Sequence, residues 1–136
     1  MVIIGFCVVL AMGVAVVTDA SAAYLQRQGL DALADGAALA GADLGAAGDE
    51  VYTGGIDGNR LAVTEAEARV AVADYLRRAG AAGRYPGLAV VVSAEPATQT
   101  IRVRLTAPLH LPLRVPGGPK TAQIGATGSA VVAVDR

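Results

Sequence analysis

The chain opens on an unbroken apolar run, MVIIGFCVVLAMGVAVVT, with no charged side chain before Asp19. At about 1.5 Å per residue, residues 1–18 make roughly 27 Å of helix, close to the ~30 Å of a bilayer's hydrocarbon. The core helix of a soluble domain rarely runs so far without a polar face. Residues 1–18 are therefore expected to be a transmembrane anchor. Ala20-Ser21-Ala22 is a small-residue run of the kind a signal peptidase accepts, so a cleaved signal peptide competes with this reading. Against it, no basic n-region precedes the apolar stretch, the stretch exceeds the usual ~7–15 residues, and the helical pattern continues through the candidate cut. Orientation depends on flanking Lys and Arg, and the charges around the span do not reveal it.

From residue 19 to 47 the helical period carries on. Leu30, Leu33, Ala37, Ala40 and Leu44 recur at three- and four-residue steps and form one apolar seam. Arg27, Asp31 and Asp35 stand four apart on another face, where an Arg27–Asp31 pair contributes a few tenths of a kcal/mol. Ala34, Ala37, Ala38, Gly41 and Gly45 keep the rod smooth, so a neighbour can approach closely. Leu30, Leu33, Ala37, Ala40, Gly41 and Leu44 are the candidate packing and assembly residues. Their partner is either the chain's own domain or a second copy, through helix-mediated self-association.

Residues 45–60 read as a Gly- and Asp-rich loop. Thr64 followed by Glu67 has the form of a capping box and predicts a second helix through Arg78. Ala68, Val72, Tyr75 and Leu76 share its inner face; Glu65, Arg69, Asp74 and Arg77 fall on its wet face. Gly80 and Gly83 are expected to end it. The period then changes to two. Leu88–Ala94 is a β-branched run, Glu95–Gln99 a hairpin loop, and Thr100–Thr106 alternates Ile101, Val103 and Leu105 with Arg102 and Arg104. Pro108, Pro112, Pro116 and Pro119 predict a loop. Residues 122–134 predict a last strand, with a bulge at Gly125 and Gly128. The fold class is thus α+β: a long N-terminal transmembrane helix continues into a small domain, in which a second helix packs on an antiparallel sheet of about three strands. The expected divisions are an anchor at 1–18, its helical extension at 19–47, and a small extracytoplasmic domain at 48–136.

Composition sharpens this picture. Of the 136 residues 54% are hydrophobic and 17% charged, below the ~25% charged usual for soluble domains. Much of the apolar share is small, so each residue buries little area and the core should be thin. A net charge of −1 gives no support for nucleic-acid binding. The single cysteine, Cys7, lies in the apolar run and excludes a disulfide framework.

Chemistry is sparse. His110 sits between leucines, and none of Ser21, Ser93 and Ser129 lies in a nucleophile elbow. One cysteine and one histidine do not make a metal site. Gly117-Gly118-Pro119-Lys120-Thr121 lacks the glycine before lysine that a phosphate loop requires, and Gly54–Asn59 lacks the spaced carboxylates of a calcium loop. Both read as turns. Arg102, Arg104 and Arg114 form either a solvated strand face, the commoner case, or a basic face for a partner. No enzyme, cofactor or metal is expected.

Asp19, Arg27, Leu30 and the run Ala34-Asp35-Gly36-Ala37-Ala38-Leu39-Ala40-Gly41-Ala42, placed after an N-terminal apolar span, resemble the TadE/TadG-like family of Flp-type pilus assembly proteins. Gly36 stands where that family more often has alanine. The resemblance implies a pilin-like or pilus-assembly component, anchored in the cell membrane by one helix with its C-terminal domain outside the cytoplasm. It implies action with a secretion ATPase, inner-membrane platform proteins and pilin-like subunits, without catalysis. The apolar segment lacks the glutamate that a typical pilin carries there, and no prepilin-peptidase-like site is visible. The expectation is therefore a membrane-bound assembly or secretion role rather than a fibre subunit. The competing expectation is a tethered or secreted binding module with no pilus role.

Overall fold

A computed structural model describes residues 1–47, 59–110 and 122–132. In chain order these form α1 (Val2–Ala47), α2 (Asn59–Arg78), a one-turn α3 (Ala81–Arg84), β1 (Ala89–Glu95), a 3-10 turn (Pro96–Thr98), β2 (Thr100–Pro108) and β3 (Gln123–Val131). The α+β expectation holds: a long apolar-headed helix, a second helix and a three-stranded antiparallel sheet.

Helix α1 runs unbroken for 46 residues, about 69 Å at the standard rise. Residues 2–18 are exposed apart from a half-buried Ala15; Asp19 is the first buried residue. Met1, Val2, Ile3, Ile4, Phe6, Val9, Leu10, Met12, Val14 and Val17 are all exposed. A contiguous apolar surface of that size is not left facing water by a soluble monomer. The second half of α1 is the backbone of the folded unit. Leu30, Ala34, Ala37 and Ala38 are fully buried, and Leu33 and Ala42 nearly so.

The sheet is a meander in the order β1-β2-β3. Its alternation sorts the two faces. Ile101, Val103, Leu105 and Ala107 of β2 are buried, together with Val92 of β1 and Ala126 of β3. Helices α1 and α2 lie side by side on this inner face, α1 against β2 and β3 and α2 against β1. The largest side chains sealed in the core are Leu30, Val72, Ile101, Val103 and Leu105. Each such burial stabilises by about 1.5–3 kcal/mol. Most other core positions are alanine, so the core is thin, as the composition indicates.

Three expectations are corrected. Helix α2 begins at Asn59, not at Thr64. Arg60, Leu61 and Ala62 favour helix, so Thr64 is an interior residue and no capping box opens the helix there. Strand β2 runs through Pro108 instead of stopping before it, because Pro108 sits beyond the last β1 rung, Ala89 opposite Thr106, and needs no donor on that side. Strand β3 carries no bulge: its register with β2 is unbroken from Thr100–Val131 to Pro108–Gln123. Gly128 meets a different demand, described below. Gly80 ends α2 in a left-handed conformation at φ 64°, whereas Gly83 lies inside α3. Of the loop expected at 45–60, residues 45–47 belong to α1 and 59–60 to α2; residues 48–58, with all of the turn expected at 54–59 but Asn59, lie outside the described residues, as do the turn at 117–121, Pro112, Pro116, Pro119 and Arg114.

Candidate functional site

Along α1 the folded unit is fitted to the helix by a series of notches. Gly29 makes room for the Tyr85 hydroxyl, which would lie 2.5 Å from a Cβ there and which donates a hydrogen bond to the Gln26 carbonyl at 3.2 Å. One heptad on, Gly36 admits the ring of Tyr75, whose Cζ would lie 2.6 Å from a Cβ. Gly41 faces Val72 and Ile101, whose Cγ2 atoms would each be 3.2 Å away. Gly128 of β3 lies against the backbone of α1 itself: a Cβ there would overlap the Ala34 carbonyl and come within 2.7 Å of the Asp35 nitrogen. The glycine in β3 thus marks a close backbone approach, the other reason for glycine in a strand.

At the lower end of the unit, the Gln26 side chain pairs with the main chain beyond β2. Its amide nitrogen donates to the His110 carbonyl, and its oxygen accepts the His110 N–H at 3.1 Å. The His110 ring is exposed.

These contacts place the predicted seam. Leu30, Leu33, Ala37 and Gly41 are buried inside the chain's own domain. Ala40 is half-buried and Leu44 is exposed. The notch at Gly41 is filled by α2 and β2 of the same molecule.

The other face of the sheet is open. By register, Arg102 stands between Ser93 and Ser129, and Arg104 between Val91 and Thr127. All six are exposed. Among the described residues neither arginine forms an ion pair, whereas on α2 Glu65 pairs with Arg69 and Asp74 with Arg77. On α1, Asp31 and Asp35 are exposed and likewise unpaired among the described residues. A shallow groove between α2 and β1 is lined by Arg69, Val72, Ala73, Leu76, Val90 and Val92. That lining offers an apolar trough and one cation, with no acid, base or nucleophile among them. The two serines that flank Arg102 have no histidine on their face, since His110 lies past the end of β2.

The notches escaped sequence reasoning because they join distant segments. The one signal was the pair Gly29 and Gly36, seven apart in an alanine-rich helix.

Residues 1–47, the whole of α1, match the family model of TadE/G-like Flp pilus-assembly proteins. The chain thus carries a TadE/G-like N-terminal segment. No curated relative and no solved structure matches the chain.

Proposed function

We propose that this chain is a membrane-anchored structural component of a Flp-type pilus-assembly or secretion machine. Its domain stands outside the cytoplasm and acts by contact with other machinery proteins, not by catalysis. One observation carries the reading: the segment that matches the TadE/G-like family is a single helix, bare and apolar over its first eighteen residues and packed into a domain core further on. A helix of that design couples a bilayer to a folded unit without a joint. Asp19, the first charge after the apolar run, marks the edge of the span.

The test is to express the chain from its native upstream DNA, fractionate the cells and read the mature N-terminus by mass spectrometry. A membrane-bound product that keeps the apolar helix is expected. A soluble product beginning near Ala23 would mean that the span is a cleaved signal. The secreted binding module would then replace the anchored component.

A further inference from the structure

We propose that copies of this chain stand side by side in one membrane and join head to tail, the Arg102–Arg104 face of one sheet receiving the Asp31–Asp35 strip of α1 from the next copy. The proposal rests on the anchored reading above, because the bilayer fixes the height of every copy. Copies in one membrane differ only by a shift in its plane and a turn about its normal. Two groups meet across such a contact only if they stand at the same height.

The heights match. Three contacts give the direction of β2 against α1, and the middle one gives its level: His110 lies at Gln26, Val103 through its register partner Gly128 at Ala34, and Ile101 at Gly41. Strand β2 therefore descends as α1 rises. Arg104 and Arg102 bracket the level of Ala34, with Arg104 the lower. Asp31 and Asp35 bracket nearly the same level, with Asp31 the lower. The spacings match as well. Residues i and i+4 of a helix are separated by about 6 Å of rise, and residues i and i+2 of a strand by roughly 6.6 Å. Arg104 can therefore take Asp31 while Arg102 takes Asp35.

Charge selects the occupant. These four groups are exposed and lack ion pairs among the described residues, whereas on α2 Glu65 pairs with Arg69 and Asp74 with Arg77 within the helix. Lipid headgroups are too far below to serve instead. Ala34 lies sixteen residues past Thr18, about 24 Å along the helix, and the headgroup layer is only some 5–8 Å thick. The two faces differ, so the contact is heterologous: it repeats into a ring or an open row instead of closing as a two-fold dimer.

The experiment uses the full chain in liposomes, with Cys7→Ser as background. Ala32→Cys places a thiol beside Asp35 on α1, and Thr127→Cys places one beside Arg104 on β3. Mild oxidation of the doubly substituted chain should give a ladder of dimers, trimers and larger species. Either single substitution should give monomer. Arg102→Glu with Arg104→Glu, or Asp31→Arg with Asp35→Arg, should each cut the ladder by about tenfold, the size of two exposed ion pairs lost and two repulsions gained. All four changes in one chain should restore it, and this restoration guards against a variant that merely misfolds. Ladders of equal strength from all variants, or a dimer from Ala32→Cys alone, would overturn the proposal. Flotation with the liposomes reports the anchor separately: protein that fails to float overturns the anchored reading itself, whatever the ladder shows.

Discussion

At the scale of single residues, the sharpest demand in the fold is at Gly128. A Cβ at this position would overlap the main chain of α1, which has no flexible end to swing aside. Gly128→Ala must push β3 off the helix, and overpacking of this kind costs about 1–3 kcal/mol or more. Gly125 lies three residues away in the same strand, and a methyl added there would have the Leu105 carbonyl as its nearest neighbour, at 3.8 Å. Gly125→Ala should be tolerated. Urea unfolding in detergent micelles, followed by circular dichroism, should separate the two variants by a clear shift in midpoint at constant slope. Equal midpoints would contradict the close approach. Sequence alone marks both glycines as interruptions in a β pattern, and only the packing partner distinguishes them.

At the scale of elements, α1 and α2 are locked by a tyrosine seated over a glycine. Gly36→Ala should destabilise the domain, because the Tyr75 ring occupies the space that the methyl needs. Tyr75→Leu should cost packing of its own. The double variant should be more stable than the sum of the two losses predicts, by about 0.5–3 kcal/mol of coupling. A thermal-unfolding cycle measures this, and strict additivity would show that the pair does not interact. Gly36 accommodates the tyrosine facing it. The elements themselves were legible because their periods are local: 3.6 residues along α1 and the inner face of α2, two along β2. What was not legible is non-local. The Thr64–Glu67 signature described a helix start that the residues before it overrode. The seam at Leu30, Leu33, Ala37 and Gly41 showed that something packs closely, but its periodicity carries no information on whether that partner is the same chain.

At the scale of the whole molecule, the chain divides by solvent rather than by a linker. The apolar half of α1 is bare, and the other half is the spine of the domain. A charge in the middle of the bare half should therefore affect location and leave the fold intact. Val9→Arg places a cation near the centre of the span, at a cost of about 2.5–3.5 kcal/mol of insertion. The membrane-bound fraction after carbonate extraction should fall, whereas Val70→Arg, on the exposed face of α2, should leave it unchanged. Equal retention of both would mean that the span is not what holds the chain in the membrane.

The continuity of α1 has a further consequence. No hinge separates the bilayer from the core, so the helix acts as a threaded shaft. One residue added between Thr18 and Ala23 would raise the domain by about 1.5 Å and turn it by about 100° around the shaft; four would raise it by about 6 Å and turn it by only about 40°. The height of the domain is thus set by the depth at which the apolar run settles. A bilayer that thins or thickens would sink or tilt the whole rod as one piece, shifting the level at which each molecule meets its neighbours.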